Sequence, residues 1–549
     1  MVALRVLLAA CALGAAPDNA ARPGKLITEP PTLHCLGVRW FIAGDANANA
    51  KVEVRYRKVG VDEWHRALDL FRVEARAIRP PNRPPAGSSM FAGSVFGLEP
   101  DTDYEMKLTL IDPDGGDAER VVKMRTWKEP ALPEGGRRVE VRPGELAAAL
   151  AKARPGDILL LHKGTYSGTF KPPSGEPGKP IALVAFGDGP PVLDGQGRSN
   201  IINGTGAHDI ILEGLHFRNA TWALAFNNAS RITVRRCVVT GCDFAFVAQK
   251  NGARQRHIFI ADNTFRGPCT WPRSKGIERQ RGVQISGTGH VVAHNRISHY
   301  ADGIDTFPGY PTCAIDIYRN EISECTDDGI EMDYSEHNTR CFENRLTNVF
   351  QGISVQPVHG GPVYVFRNAL YNVGLETFKM HNSPSGALFF HNTSAKAGMP
   401  LVLYTGETVS RCLYRNNLFV GTSGNYAYET TAPMRGCEFD YDAFAGRWKM
   451  FLKWNRVRYR TLEDVKARAP VYRHALALRP EGLFASGIRP PDEPKKSYPP
   501  SLNDLRPAPD SGVVDRGVIL PNINDGFEGK APDIGAYEAG QPLPRYGPR

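Results

Sequence analysis

Short apolar runs broken by Gly, Asp and Asn follow one another through the middle of the 549-residue chain, with no helical spacing of apolar positions between them. Each run carries an asparagine, as in the segment Ile317–Ile322. These asparagines recur at intervals of 25, 24, 24, 24 and 24 residues: Asn295, Asn320, Asn344, Asn368, Asn392 and Asn416. A period of this length, built from brief β-rich segments, is typical of a parallel β-helix in which each coil stacks on the one before.

Stacked coils place residues from successive repeats in vertical columns, spaced about 4.8 Å from coil to coil. We interpret the asparagine column as a structural ladder in which side-chain amides bond to turn backbone. Gly303, Gly329 and Gly352 mark the turn before each strand, where a positive φ or a close backbone approach is needed. The repeats predict about a dozen coils, so functional side chains can be sought by aligning them.

Residues 28–128 show a different pattern, the polar and apolar alternation of exposed strands, as in Lys51–Arg57. They include Leu98, Pro100, Thr102 and Tyr104, spaced as Leu-x-Pro-x-Thr-x-Tyr. This segment resembles the fibronectin type III family, in which that pattern forms a tyrosine corner between strands. The resemblance implies a β-sandwich over 28–128 that acts as a spacer or a binding module. The Pro- and Arg-rich residues 77–90 are interpreted as a loop inserted between its strands.

After a linker, the chain enters a short helical pattern with Leu146, Leu150 and Ala153 on one face, followed by Gly156–Leu161 and Gly164–Tyr166. This order is similar to the opening of pectate-lyase-like right-handed β-helix proteins, where a helix covers the exposed end of the core. The resemblance covers about 137–549. We predict the β-helix over 137–437, and an irregular C-terminal segment over 438–549 that packs along it.

Aligning the strands that follow the asparagines identifies two outward columns, because alternate residues of a strand point to opposite faces. Ile304, Ile330, Ile353 and Phe378 are taken to face the core. The first outward column then contains Gln284, Asp305, Glu331, Ser354 and Lys379. The second outward column contains Ser286, Phe307, Asp333, Gln356 and His381. Both columns are polar or chargeable, which predicts a functional face.

Acidic residues concentrate at these columns. Residues 302–337 hold ten Asp and Glu but a single Lys or Arg, Arg319. Asp302, Asp327 and Asp328 precede the same strands and add to the charge. One interpretation is a solvated acidic face. The density of like charges favours another, a face that binds a cation or shares protons.

Two chemistries would use such a face. In hydrolysis, a pair drawn from Asp305, Glu331 and Asp333 would flank a glycosidic bond, one carboxyl as acid and the other as nucleophile or base. In elimination, the acids would hold Ca²⁺, with Asp302, Asp327 and Asp328 as metal ligands, and the ion would clamp a uronate. Lys379, with a lowered pKa, is then the candidate base, and His381 is the second.

Calcium-dependent polysaccharide lyases of the fold that the chain resembles work in this general way and often use an arginine. Arg279 and Arg281, at the end of the loop 266–281, are candidates for that arginine. Further substrate contacts are expected from Gln284, Gln356, His359, Trp271, Tyr310 and Arg281. The aromatic members suit the apolar C–H face of a sugar ring.

The N-terminal residues and the cysteines indicate the cellular compartment of the protein. Residues 1–16 carry one basic residue and a short apolar stretch, which predicts a secretory signal peptide. Leu8–Cys11 also resembles a lipoprotein box. Nine further cysteines form no CxxC pair, so buried stacked thiols are favoured over a zinc site or a disulfide framework.

The formal net charge of +9 does not indicate nucleic acid, because residues 302–337 are strongly acidic. We expect a secreted monomer with no transmembrane segment and with a polysaccharide partner, an acidic one by preference. The expected activity is glycosidic-bond cleavage, with elimination slightly ahead of hydrolysis and with sugar epimerisation as a minor option. A glycan-binding or adhesion protein without catalysis is the alternative from another class.

Overall fold

The computed structural model describes residues 18–74, 77–79, 83–84, 88–249, 254–307 and 310–549. The leader expected over 1–16 lies outside the described residues, and so does part of the loop expected over 77–90. Within the described ranges, no helix is both long and apolar enough to span a bilayer. The chain is all-β, with a sandwich followed by a right-handed β-helix of about 13 turns.

Two four-stranded antiparallel sheets form the N-terminal module. One sheet contains Arg22–Thr28, Leu36–Ala43, Ser88–Val95 and Phe71–Val73, and the other contains His65–Ala67, Lys51–Lys58, Asp103–Ile111 and Ala118–Arg125. Alternate apolar residues such as Trp40 and Leu108 fill the space between them. The Tyr104 hydroxyl accepts a hydrogen bond from the Glu99 amide at 3.0 Å. This contact is the tyrosine corner that the sequence pattern predicts.

Each turn of the solenoid contributes strands to two parallel sheets. The sheet that faces the module, here called the module sheet, contains Arg138–Val141, Ile158–Leu161, Ile181–Ala185, His208–Glu213, Ser230–Arg235, Arg256–Ala261, Gly287–Thr288, Val291–Ala293, Thr312–Cys313, Asp316–Tyr318, Thr339–Phe342, His359–Phe366, Ser385–Phe390, Val409–Ser410, Leu413–Arg415, Met434–Arg435 and Glu438–Phe439. The second sheet, here called the acid sheet, contains Gly164–Ser167, Pro191–Asn203, His216–Ala225, Val238–Ala248, Thr264–Arg266, Arg281–Ile285, Arg296–Ser298, Asp302–Asp305, Glu321–Glu331, Arg345–Ser354, Ala369–Val373, Phe378–Lys379, Thr393–Ala395, Leu401–Leu403, Leu418–Thr430, Ala443–Trp454, Val457–Tyr459 and Leu476–Leu478. The described helices are Leu146–Lys152, Leu462–Arg468 and the 3₁₀ turn Pro500–Leu502.

Both ends of the solenoid are covered. The helix Leu146–Lys152 buries Leu146 and Leu150 against the first coils, as its apolar spacing predicts. At the other end the coils continue beyond the expected limit of 437, because Ala443–Trp454 pairs in parallel with Leu418–Thr430. Aromatic residues in this stretch, such as Phe444, join the same core. The expectation of an irregular segment from 438 is therefore wrong for its first part.

The asparagine ladder is present, with one change of member. Asn344 Nδ2 donates to Asn368 Oδ1 at 2.9 Å, and the same contact repeats along the stack. The ladder reaches Asn417 rather than Asn416, since Asn392 Nδ2 donates to Asn417 Oδ1 at 2.9 Å. Asn416 has a φ of 59° and bonds instead to His391 and to the backbone of Val518. The last interval of the repeat is thus 25 residues.

Gly303, Gly329 and Gly352, expected in turns before the strands, lie within acid-sheet strands at points of close packing between coils. A Cβ added to Gly303 would lie 2.5 Å from the carbonyl oxygen of Gly329, and one added to Gly352 would lie 2.3 Å from that of Thr377. Neither glycine has a positive φ. The close approach is therefore the reason for glycine here, and the alternative of a left-handed turn is wrong.

The N-terminal module packs directly on the module sheet. The ring of Phe96 lies 5.0 Å from that of Tyr364 and 5.1 Å from that of Phe366. Ser94 Oγ donates to Asn338 Oδ1 at 3.0 Å. An apolar and hydrogen-bonded contact of this kind holds the sandwich in one orientation against the solenoid.

The C-terminal segment packs along the acid sheet. Its Leu483, Phe484 and Tyr537 share a buried cluster with outward residues of the coils, such as Tyr371. At the chain end Arg549 forms an ion pair with Asp262 at 2.9 Å. The nine cysteines of the described residues are free thiols, and eight of them are buried. This agrees with the expectation of stacked thiols rather than a disulfide framework.

A buried cluster of acids on the acid sheet

The strands of the acid sheet align in the register that the repeat predicts. Gln284 pairs with Asp305, Asp305 with Glu331, Glu331 with Ser354, and Ser354 with Lys379. The first outward column is therefore a continuous line over five coils. Its middle members are not solvated, since Asp305 and Ser354 are each 0% exposed. The interpretation of a solvated acidic face is wrong.

Asp302 and Asp305 share one basic partner. Arg281 Nη1 lies 2.7 Å from Asp302 Oδ2, and Arg281 Nε lies 3.0 Å from Asp305 Oδ2. Asp305 also accepts hydrogen bonds from Gln284 Nε2 at 2.7 Å and from the Phe307 amide at 2.5 Å. Burial raises the pKa of Asp302 to about 7, and the Arg281 guanidinium opposes that rise. Asp305 has both oxygens engaged and is closed to a substrate.

Lys379 lies against Asp328 rather than free in the groove. Its Nζ is 2.7 Å from Asp328 Oδ2, and the lysine side chain is 13% exposed. Burial lowers the pKa of Lys379, but the Asp328 carboxylate more than offsets this and the pKa is raised overall. The expected lowering of its pKa is therefore wrong, because a carboxylate partner stabilises the charged ammonium.

Asp333 is fixed by donors from the next coil. Its Oδ1 accepts from Ser354 Oγ at 2.7 Å and from the Gln356 amide at 2.6 Å. Burial raises the pKa of Asp333 to about 6, although its hydrogen bond with Glu331 and the nearby Lys379 lower it. Asp333 is thus the acid of this group that ionises just below neutral pH.

Glu331 is half-buried and lies on its strand between Asp305 and Ser354 of the neighbouring coils. Burial raises its pKa far above the ordinary value, and the neighbouring carboxylates of Asp305, Asp302 and Asp333 add to the rise. Its Oε2 has no hydrogen-bond partner among the described residues. A neutral carboxyl with an unused oxygen, at the centre of the column, can donate a proton.

The acid cluster carries more acids than bases. Its six carboxyl groups are those of Asp302, Asp305, Asp327, Asp328, Glu331 and Asp333. In the part of the chain that the structure describes, three basic side chains pair with them: Arg273 on Asp327, Arg281 on Asp302 and Asp305, and Lys379 on Asp328. The remaining acids of 302–337 lie elsewhere. Asp316, for example, pairs with the buried Arg340 against the module.

Two groups of acids could hold a metal ion: Asp302, Asp305 and Glu331, and Asp302, Asp327 and Asp328. Oxygen donors of this kind suit Ca²⁺. In the first group, however, the Arg281 guanidinium already occupies Asp302 and Asp305. In the second, each carboxylate has a basic partner. The donors therefore do not fit a resident cation unless these side chains move.

Of the other candidate residues, some lie at the acid cluster and some lie away from it. Gln284 and Gln356 adjoin the cluster through Asp305 and Asp333. Trp271 donates to the backbone of Lys496 at 3.1 Å and so packs against the C-terminal segment. His381 Nε2 lies 3.0 Å from Glu376 Oε2, beside the column rather than against Glu331.

Two further candidates are Tyr310, which lies next to residues outside the described ranges, and His359, which lies near the module. Tyr310 is half-buried and follows 308–309, which lie outside the described residues. His359 is half-buried beside Tyr334, with ring centroids 5.8 Å apart. Burial and, to a lesser degree, Arg79 of the module lower the pKa of His359 to about 4.

Tyr334, Arg79 and Arg273 are not among the site residues that the sequence predicts. Tyr334 directly follows Asp333 of the second outward column, and this position is the sequence signal that could have identified it. Arg273 lies in the loop 266–281, where only Trp271, Arg279 and Arg281 were singled out. No sequence pattern connects Arg79 to residues more than two hundred positions away.

Comparison with known proteins supports the fold. Residues 200–369 match the family described as the right handed beta helix region. No protein of curated function matches the chain significantly. Among solved structures, the PL6 family alginate lyase AlyGC is 15% identical, with a TM-score of 0.42, over 67% of this chain and 57% of that one. This chain therefore spans a little over half the length of that lyase.

Two further structures have lower TM-scores. The family 28 exopolygalacturonase of Yersinia enterocolitica is 9% identical, with a TM-score of 0.26, over 83% of this chain and 99% of that one. The alginate lyase from Paenibacillus sp. str. FPU-7 is 16% identical, with a TM-score of 0.29, over 55% of this chain and 97% of that one. Likenesses at this level carry no argument about activity. With the family match, the described architecture identifies the chain as a right-handed parallel β-helix protein preceded by a β-sandwich.

Proposed function

We propose that the chain is a secreted carbohydrate-active enzyme that hydrolyses glycosidic bonds of a polysaccharide lying across the acid sheet. The observation that carries the proposal is the position of Glu331 in the middle of the column, with one carboxyl oxygen that has no hydrogen-bond partner among the described residues. Burial and the neighbouring acids raise the pKa of this carboxyl. A carboxyl that stays protonated near neutral pH can protonate the oxygen of the leaving sugar.

The charge of the cluster favours hydrolysis over elimination. Five other carboxyl groups of the cluster surround Glu331, and three basic side chains offset their charge only in part. Hydrolysis develops positive charge on the sugar ring, which a carboxylate-rich wall stabilises. Elimination develops negative charge beside the uronate carboxylate, which the same wall destabilises. We therefore place hydrolysis ahead of elimination, the reverse of the order expected from the sequence.

The proposed reaction uses residues of this chain alone. Glu331 gives its proton to the leaving oxygen as the bond to the anomeric carbon breaks, and water supplies the hydroxyl group to that carbon. The remaining proton of the water passes to solvent. Asp333, whose pKa is raised to about 6 and which is hydrogen-bonded to Glu331, then relays a proton from solvent back to Glu331. No step passes through a metal ion.

Elimination remains the second candidate, for one reason. Arg281 and Lys379 lie on either side of Glu331 along the sheet, and their cationic heads could neutralise a uronate carboxylate. In that reaction Lys379 could act as a base only after losing the proton that Asp328 stabilises. The charged Lys379 makes this the less favoured reaction.

A panel of neutral and uronic polysaccharides distinguishes these possibilities. New reducing ends without ultraviolet absorbance from an unsaturated uronate would support hydrolysis. Reducing ends with that absorbance would identify a lyase and contradict the preferred reaction. Retention of a polysaccharide by the full chain with neither product would indicate a glycan-binding protein and contradict the catalytic proposal.

A further inference from the structure

We propose that the N-terminal module completes a sugar subsite next to Glu331, in which Arg79 recognises a carboxylated sugar residue of the substrate. The subsite consists of Phe307, Tyr334 and His359 of the solenoid and Arg79 of the module. The inference rests on the proposed function, and it extends that function by naming an acidic sugar as the group bound beside the bond that is cleaved.

The N-terminal module packs tightly against the solenoid next to the proposed subsite. Val73 and Ile78 are buried, and they lie over Gly360 of the solenoid. A Cβ added to Gly360 would be 2.8 Å from Val73 Cγ1 and 2.9 Å from Ile78 Cγ1. Gly360 also has a φ of 87°. The close contacts and the positive φ both require glycine at position 360. The same contacts hold the module backbone just before Arg79 against the coil that carries His359.

Aromatic rings form the floor of the subsite. The rings of Phe307 and Tyr334 are 5.2 Å apart, and those of Tyr334 and His359 are 5.8 Å apart. Phe307 is 38% exposed, an unusual degree of exposure for so large an apolar side chain. A row of rings with an open face suits the apolar C–H face of a sugar.

The rings are continuous with the acid cluster. Phe307 donates its amide hydrogen to Asp305, and Tyr334 follows Asp333 in the chain. Two buried polar atoms, Gln356 Oε1 and His359 Nε2, lack a hydrogen-bond partner among the described residues. A sugar that spans the rings and Glu331 would bring hydroxyl groups to this region.

Arg79 supplies the charge. Its guanidinium lies 5.1 Å from the centre of the Tyr334 ring, and its side chain is exposed. Arg273, Arg281 and Lys379 are each paired with a carboxylate of the cluster, whereas Arg79 pairs with no carboxylate of the described residues. His359 stays neutral beside it, because burial lowers its pKa to about 4. An uncommitted guanidinium above an aromatic floor is suited to a sugar carboxylate.

Binding measurements on the full chain test this subsite. Oligouronates and neutral oligosaccharides of equal length are titrated into Glu331→Gln, which binds substrate without cleaving it. Adding Arg79→Gln should weaken oligouronate binding about tenfold and leave neutral binding unchanged. Tyr334→Ala in the same background should weaken the binding of both. Arg55→Gln removes an exposed arginine of the module and is the matched control for charge, with no expected effect.

The outcomes separate the two proposals. Oligouronate binding that Arg79→Gln leaves unchanged overturns the subsite, while the hydrolytic proposal stands. A preference for neutral oligosaccharides also overturns it. A chain that neither binds nor cleaves any glycan overturns the proposed function, and the subsite with it.

Discussion

Lys379 Nζ lies 2.7 Å from Asp328 Oδ2, so the lysine of the outward column is committed to a buried ion pair across two coils. Lys379→Met would leave the Asp328 carboxylate buried without its partner. We expect this change to lower the free energy of unfolding by about 3–5 kcal/mol. Denaturant unfolding measures the loss.

The double variant Lys379→Met with Asp328→Asn is the control for that prediction. It removes both charges, so most of the stability should return. If Lys379→Met were as stable as the wild type, Lys379 would not be held by Asp328, and its role as a free base would regain support.

Stability should depend on pH through the buried acids. The pKa of Asp302 is raised from 3.8 to about 7. Between these values the folded state binds more protons than the unfolded state, so this group's contribution to stability falls as pH rises from about 4 to about 7. The melting-temperature advantage of the wild type over Asp302→Asn should therefore shrink across this range. An advantage that grows with pH would contradict the raised pKa.

Arg281 should exclude calcium from the acid cluster. Its guanidinium occupies the oxygens of Asp302 and Asp305 that a cation would need. We therefore expect EDTA to leave wild-type activity unchanged and Ca²⁺ to leave the melting temperature unchanged. Arg281→Ala should acquire a melting temperature that rises with added Ca²⁺, because the carboxylates lose their counter-charge. Inhibition of the wild type by EDTA, reversed by Ca²⁺, would contradict this prediction.

The asparagine ladder should be a main source of stability. Asn344 Nδ2 donates to Asn368 Oδ1 and to the Ile317 carbonyl oxygen, each at 2.9 Å. Asn344→Ala removes the donor to the Ile317 carbonyl oxygen and the Oδ1 that accepts from the buried Asn320 amide, so we expect a loss of about 2–3 kcal/mol in the free energy of unfolding. Asn425→Ala, at an exposed position of a long strand, is the matched control and should change little. Equal stability of the two variants would refute the ladder's role.

The fold and the register of the first outward column could be predicted because the repeat is almost constant. A fixed interval determines which residue of each coil follows which, so Asp305, Glu331 and Lys379 fall in line. A constant period does not show which of two neighbouring asparagines continues the ladder when one interval is a residue longer than the others. For that reason Asn416 was predicted where Asn417 forms the ladder.

The surroundings of the column could not be predicted in the same way. Asp328 directly follows a shift in strand register between Cys325 and Asp328, and its carboxylate contacts Lys379. The pKa of the lysine depends on that lateral contact, which a column alignment does not contain. The approach of Arg79 to Tyr334 depends on how the module docks, which is a property of two packed surfaces rather than of any motif.

The turnover of Glu331→Gln on a polysaccharide that the wild type cleaves shows whether Glu331 is the proton donor. Glutamine keeps the shape of the side chain and removes its proton, so folding should be unchanged while the release of reducing ends falls about 10²- to 10⁴-fold. Circular dichroism and the melting temperature control for folding. Wild-type turnover by a folded Glu331→Gln would contradict the assignment of Glu331 as the proton donor.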